Sequence, residues 1–522
     1  MKRALLGSLI SLLLFAEVPP GAQRWWAHVQ FLADDRLQGR DTGSEGHRLA
    51  AEYVAAQFQK AGLKAAGTAG YVQPVKFHTR RILEERSSLA LVRNGKAEPL
   101  TLGDDANIGV RSEPAASLEA PLVFAGYGFV VPEMKHNDLA GLDLKGKVVV
   151  YLTGSPSNIP GPLRAHYQSA GERWKFLKAA GVVGTVAIQN PKNTDVPWAR
   201  STLSRTKPAM SLVDAELEEG SGRLSVTANA DHAEKWFTGS GHTFKELLAL
   251  ADQGKTLPTF PLPASIRAQT SLERGEVVSQ NVVGVRAGSD PKLKDEYVVI
   301  SAHLDHVGVG TPINGDGIYN GAMDNASGVA ALMEIAAALH DAGTQTKRSL
   351  VFVAVTGEEK GLTGSRYFAA HPTVKGTIVA DLNMDMFLPL YPLKMLLALG
   401  AEESDLGDRL RETLRPRGIE LQPDPEPQRN RFIRSDQYSF IRQGIPSMAF
   451  KVGYPADSKE AEISRQWTKE RYHAPSDDLN QPLDLQAAAD FCSMLRALVI
   501  NVADHPERPR WKADSFFRRF AK

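Results

Sequence analysis

At 522 residues the chain is longer than one hydrophobic core supports, since single cores stop growing near about 250 to 300 residues, so two domains are expected. Apolar residues at 43% and charged residues at 23% are those of a soluble globular protein and exclude global disorder. The 61 Lys plus Arg nearly cancel the 60 Asp plus Glu, which leaves no overall field to gather nucleic acid or an anionic membrane surface.

The N-terminus, MKRALLGSLISLLLFAEVPPGAQ, places Lys2 and Arg3 before an apolar run from Ala4 to Ala16 and a stretch containing Pro and Gly. This pattern reads as a secretory signal peptide, assigned to residues 1–22, and predicts a periplasmic or secreted protein; the alternative is an N-terminal membrane anchor left uncleaved. The run is shorter than the roughly 20 apolar residues a bilayer requires, and no other segment reads as long and charge-free enough, so no stable membrane insertion is expected. The single cysteine, Cys492, lies in the apolar pattern AAADFCSMLRALVINV and reads as a buried structural thiol.

Next in the chain, FLADDRLQGRDTG reads as a polar loop lining a cleft, and SEGHRLAAEYVAAQFQKAGL as an amphipathic helix capped by Ser44 and stopped at Gly62. From about residue 113 the texture changes to short β-type runs, APLVFAGYGFVV and GKVVVYLTG, a helix at ERWKFLKAAGVVG and a strand at TVAIQN. This predicts a smaller α+β unit over 113–262, inserted into a larger domain made of 23–112 and 263–522, with DHAEKWFTGSGHTFKELLALADQGKTLP as a helical connector. Strands and helices then alternate: SQNVVGVRAG, EYVVISAHLDH, ASGVAALMEIAAALHDAG, SLVFVAVTGEE, GTIVADLNMDM, KMLLALG, IPSMAFKVG and a long last helix. The fold class expected is α/β, with a mixed, largely parallel central sheet covered by helices on both faces and catalytic groups beyond the C-terminal strand ends. Val329, Leu332, Met333, Ala336 and Leu339 fall at helical spacing and read as core.

Polar clusters end several of these apolar strands: SAHLDH, YNGAMDNASG, TGEE and NMDM, with RYHAPSDD before the last helix. Together they supply His303, Asp305, His306, Asp324, Glu358, Glu359, Asp385, His473, Asp477 and Asp478. Imidazole and carboxylate suit zinc, which takes nitrogen and oxygen ligands at about 2.0 to 2.2 Å. With 13 histidines and many acids in the chain, a single member of this set proves nothing; the joint pattern of costly polar groups at the ends of buried strands points to one assembled site. The loop HVGVGTPINGDGIYNGAMDN lacks the phosphate-loop spacing, and no H-E-x-x-H helix occurs.

SAHLDHVG, NGAMDNASGVAALMEIA, VTGEEKGLTGS, NMDM and RYHAPSDD, in this order, resemble the zinc-site motifs of the M28 family of metallopeptidases, and LADDRLQGRDTGSEGH resembles that family's opening. The stretch from APLVFAGYGFVV to YLTG resembles the protease-associated domain inserted in many members. The resemblance implies a zinc-exopeptidase fold and two zinc ions per subunit bridged by Asp324 and a water, with His303 and Asp385 on one metal and Glu359 and His473 on the other. It implies Asp305 as the carboxylate orienting the His303 imidazole, Glu358 as general base, and an aminopeptidase acting on peptides with a free N-terminus. His306 is read as a cleft residue, not a ligand, and Asp477 and Asp478 as local turn caps. RSDQYSF resembles a pocket-lining segment, so Ser435 and Asp436 are expected to face substrate, with Gln437 standing where the family often has His. Alternatives on the same scaffold are a carboxypeptidase, which would need a basic pocket, a glutaminyl cyclase, or a non-catalytic binding protein.

Overall fold

The computed structural model describes residues 19–218, 220–429 and 431–521. The run expected to serve as a leader lies, up to residue 18, outside these. Pro20–Leu32 is a helix whose Ala22, Trp25, Val29 and Leu32 are buried. The expected boundary after residue 22 falls inside this packed helix.

The larger sheet is built on four consecutive parallel neighbours, Ser349–Val355, Glu296–His303, Thr377–Met384 and Ser447–Gly453. Antiparallel strands flank them: Leu272–Arg286 and Val72–Ile82 on one side, Met395–Leu399 on the other. Every residue of SLVFVAV is buried. Alternate residues of that strand face opposite sides of the sheet, Leu350, Phe352 and Ala354 joining the main core while Val351, Val353 and Val355 join a second. Apolar side chains on both faces demand cover on both. Helices Glu45–Lys60, Ser327–Asp341 and Leu485–Asp504 provide it on one face, and Thr363–Ala370 and Gln437–Ile441 on the other. The sequence-level expectation of a mixed α/β sheet covered on both faces therefore holds.

The cap predicted at Ser44 forms, its Oγ accepting from the His47 amide, and the helix it starts ends at Lys60. Among the described residues Leu485–Asp504 is long and apolar enough to cross a membrane by length and composition, contrary to the reading that no such segment follows the leader. Its Phe491, Leu495, Leu498 and Val502 pack into the main core, and Cys492 is buried beside them as expected.

The smaller unit is larger than its predicted span of 113–262. Its sheet runs Lys96–Leu100, Ser88–Arg93, Thr259–Gln269, Ser117–Ala125, Val148–Leu152, Gly184–Ile188, Ser225–Ala228 and Ala106–Ile108. Residues 88–108 were assigned to the larger domain because their strands carry no marker of their sheet; Ser88–Arg93 pairs with Thr259–Gln269 and with Lys96–Leu100, and Ala106–Ile108 pairs with Ser225–Ala228. The segment read as a helical connector folds as Glu234–Phe237 and Phe244–Asp252 and packs its Trp236, Phe237 and Leu247 into the small core. One strand crosses back: Ala209–Leu212, inside the insert, pairs antiparallel with Val72–Ile82 at the edge of the large sheet. That pairing ties the insert to the edge of the large sheet.

Candidate active site

His303 is the last residue of Glu296–His303, Glu358 and Glu359 follow Ser349–Val355, and Asp385 follows Thr377–Met384. Three adjacent parallel strands thus deliver these groups to one edge, where the backbone is free of sheet pairing. Asp324 lies in the tight turn before Ser327–Asp341, with a cis peptide to Asn325, and His473 follows Lys459–Arg471.

Asp324 is the hub. Its Oδ1 lies 3.3 Å from His303 Nε2, which is 3.5 Å from Asp385 Oδ1. Its Oδ2 lies 3.3 Å from His473 Nε2, which is 3.2 Å from Glu359 Oε2. The five predicted metal ligands therefore meet as two sets sharing one carboxylate. His306 joins them: its Nδ1 is 2.9 Å from Glu359 Oε1 and 3.7 Å from Asp324 Oδ2. The sequence reading set this residue apart from the metal; the one signal available was a second imidazole three positions after His303. Gly321 makes room for it, since a Cβ there would come within 2.5 Å of the His306 ring and 2.1 Å of the Asp324 carbonyl.

His303 Nε2, both His306 ring nitrogens, Asp324 Oδ2, Glu359 Oε1 and Asp385 Oδ1 are buried without a hydrogen-bond partner, although they crowd together. Buried polar atoms are normally paired. Donor atoms that converge without bonding one another are aligned on shared centres, as cation ligands are, and nitrogen with carboxylate oxygen is a zinc donor set. The residues present fit two metal ions.

The electrostatics divide the carboxylates. Burial would lower the His303 imidazole, but Glu358, Asp324 and Asp385 outweigh it and raise it well above the usual range. His473 is raised to about 10, Glu359 and Asp324 overcoming its burial. Burial would raise Asp324, yet His303, His473 and His306 draw it well below the usual carboxylate range. Glu359 is depressed in the same way by His473 and His306, and Asp385 by His303 and Lys451. Glu358 goes the other way: burial raises it, and Glu359, Asp385 and Asp436 reinforce the rise against the pull of His303. A carboxylate with raised proton affinity beside a ligand cage has the character of a general base.

The supporting residues act differently from the expectation. His303 Nδ1 faces the backbone carbonyl of Asp305 at 3.1 Å, not its side chain. The Asp305 carboxylate instead accepts from the Glu358 amide (3.1 Å), the Glu359 amide (3.3 Å) and Thr42 Oγ1 (2.9 Å). It anchors the backbone that carries both glutamates. Asp477 is likewise more than a local turn cap, because its two oxygens accept from the amides of Met323 (2.9 Å) and Asp324 (3.0 Å). Asp478 does cap locally, bonding Asn480. Arg40, fully buried, donates to the carbonyls of Leu304, Asn320 and Gly321 and stitches two ligand-bearing loops together.

Two cavities meet the ligand cage. One, about 490 Å³, is lined by Asp385, Ser435, Gln437, Lys451 and Tyr472, and by Thr194, Asp195 and Trp198 of the insert. The other, about 470 Å³, reaches Glu359 and His473 and is walled by Val196, Arg200 and Lys207 of the insert. Ser435 lines the first cavity, its Oγ accepting from Asn383 Nδ2, which also donates to Gln437 Oε1. Asp436 does not: it is buried, outside both cavity linings, with both carboxylate oxygens unbonded and the group raised to about 7, chiefly by burial. Successive residues at the start of Gln437–Ile441 cannot share one direction, and the serine takes the outward one.

Residues 281–499 match Peptidase family M28. Carboxypeptidase Q of Xenopus laevis is 25% identical over 68% of this chain and 64% of its own length. A probable leucine aminopeptidase 2 of Aspergillus oryzae is 30% identical over 45% of each. The chain spans less than two thirds of the length of these curated relatives. Among solved structures, an aminopeptidase from Aneurinibacillus sp. strain AM-1 aligns over 95% of this chain and 97% of its own, at 19% identity and a TM-score of 0.55. A zinc aminopeptidase from Bacillus subtilis aligns over 94% and 97%, at 18% identity and a TM-score of 0.51. These two share the fold.

Proposed function

We propose, from the match of residues 281–499 to peptidase family M28, that the protein is an exported zinc aminopeptidase that removes N-terminal residues from peptides. The observation that carries this reading is the pair of donor sets joined at Asp324, with the proton-avid Glu358 beside them. His303 and Asp385 would hold one zinc, His473 and Glu359 the other, and Asp324 both. Bound zinc supplies Lewis acidity toward the scissile carbonyl and acidity to the attacking water.

Within this reading Glu358 takes a proton from the attacking water and returns it to the leaving amine. Asp305 holds the amides of Glu358 and Glu359 and so positions the loop that carries both carboxylates. The insert's residues 194–207 wall both cavities and narrow access from either side. Its likeness to a protease-associated domain is part of the proposal, as is export, which rests on the leader pattern at Lys2 to Ala16. N-terminal sequencing of secreted material would read a start before Pro20 if export is right, and an intact Met1 if it is wrong.

Hydrolysis of aminoacyl anilides, before and after EDTA and again after zinc is restored, tests the assignment. Activity lost on chelation and regained with zinc supports it; activity indifferent to chelation sinks it. A carboxypeptidase reading is favoured by one observation, the cations beside Asp385, and paired assays on N-acetylated and free-amine peptides separate the two.

A further inference from the structure

Arg40, Asp41, Thr42 and Gly43 follow one another in the stretch read as a cleft-lining loop, yet none of them lines either cavity. Each reaches a different part of the site. Arg40 holds the carbonyls of Leu304, Asn320 and Gly321. Asp41 Oδ1 lies 2.6 Å from the ammonium of Lys360, the residue that follows the two glutamates. Thr42 Oγ1 donates to Asp305 Oδ2 at 2.9 Å, and the same carboxylate accepts from the amides of Glu358 and Glu359. The Gly43 amide donates to Ser279 Oγ at 3.0 Å, which bonds Thr356 Oγ1 at 2.7 Å, two residues before Glu358.

The backbone is bent to bring these four residues there. Gln38, Gly39 and Arg40 are all left-handed, with φ of 46°, 66° and 50°. Two of the three carry a Cβ, so the turn is costly and persists only where its surroundings over-determine it. Here they do. The fully buried Arg40 guanidinium is bonded to carbonyls of three separate segments, at Leu32, Leu304 and Asn320–Gly321. A Cβ on Gly39 would fall 2.1 Å from the Tyr319 carbonyl, and one on Gly308 would fall 2.5 Å from the Asp41 Cβ. The segment is wedged in place, and the ion pair from Asp41 joins that wedge to the glutamate loop. The pair is sheltered, the Lys360 side chain being 10% exposed and that of Asp41 26%. Removing one partner leaves the other sheltered and uncompensated.

We propose that Asp41 and Thr42 are positioning residues for the reaction: acting through Lys360 and Asp305, they hold the loop that carries Glu358 and Glu359 in its working place. The proposal rests on the hydrolase reading above and names the device that sets its base. A general base works only within hydrogen-bond reach of the proton it takes, and a misplacement of about 1 Å costs as much as 10²-fold in rate. The loop is therefore set from the far N-terminal part of the chain.

A mutant cycle on the zinc-loaded full-length enzyme, with Leu-anilide as substrate, tests this. Asp41→Asn and Lys360→Met are each expected to lower kcat about tenfold or more, with KM within about twofold and zinc content unchanged by elemental analysis. Lys360→Arg keeps most of the turnover. The double variant is expected to be as slow as the slower single one, because both changes cut the same link. A double variant that regains wild-type kcat shows a pair that only balances charge, and overturns the proposal. So does a kcat that is unchanged in both single variants, or one that falls only where zinc is lost. Thr42→Val removes one hydroxyl and little else, so it decides the matter where the charge variants fail to fold: a lowered kcat supports the proposal and an unchanged one overturns it. If the wild type cleaves nothing, the hydrolase reading fails, and amide hydrogen exchange still decides the positioning. Exchange over residues 356–362 about fivefold faster in Thr42→Val, as the loss of one hydrogen bond allows, with Leu485–Asp504 unchanged, supports it; exchange identical to the wild type overturns it.

Discussion

Glu358 and Glu359 are neighbours in sequence with opposite electrostatic characters, one raised and the other depressed. Ideal strand geometry would turn them to opposite faces, but the strand ends at Val355 and the Asp305 carboxylate holds both following amides. Three substitutions separate the roles. Glu358→Gln is expected to lower kcat by roughly 10²- to 10⁴-fold while retaining zinc by elemental analysis; simultaneous loss of metal would refute the division of labour. His306→Ala is expected to weaken zinc retention against a chelator by about 10- to 100-fold, the size of effect for a group that supports a metal ligand; unchanged retention would return His306 to the status of a cleft residue. Asp305→Ala leaves two half-buried amides unpaired and should cost about 1 kcal/mol in urea unfolding, and an unchanged midpoint would show that the glutamate loop holds itself.

At the scale of elements, the loops at the strand ends were legible in the sequence because His303, the Glu358–Glu359 pair and Asp385 each close an apolar run whose burial is unambiguous. SLVFVAV followed by TGEE can be read only as a buried strand ending in charge. Asp477 and Arg40 were not legible, because their partners are distant: Asp477 bonds amides at 323 and 324, and Arg40 bonds carbonyls at 304, 320 and 321. An aspartate in a turn has a local explanation at hand, and nothing near it in sequence argues for another. The contact between insert and peptidase domain is equally long-range, Asp195 against arginines more than 230 positions away. Burial would raise Asp195, but Arg434, Arg431 and Arg429 hold it at about 2. A carboxylate depressed in the folded state contributes stability that is present above its unfolded value and is lost as pH falls through the folded one. Asp195 therefore contributes about 2 kcal/mol above pH ~4 and loses it toward pH ~2. The stability gap between wild type and Asp195→Asn should be constant from pH ~8 to ~5 and close between pH ~4 and ~2. A gap that does not change over that range would contradict the clamp.

For the molecule as a whole, two sheets share one chain because Val72–Ile82 and Leu272–Arg286 close the large sheet on either side of the insert, pairing through most of their length. The large domain's class followed from apolar strands alternating with helices. The insert's limits did not follow, since strand partners are fixed by register across long separations and by which face meets which core. That topology suspends residues 194–210 of the insert over the ligand cage and joins them to the large sheet through Ala209–Leu212. The central claim is that this edge of the sheet is a two-metal hydrolytic site, and zinc titration of the chelated protein with Leu-anilide turnover followed at each point tests it most directly. The account predicts that activity rises with zinc and saturates at two equivalents per chain. Tight zinc binding that never restores turnover, or turnover that persists with no zinc bound, would contradict it.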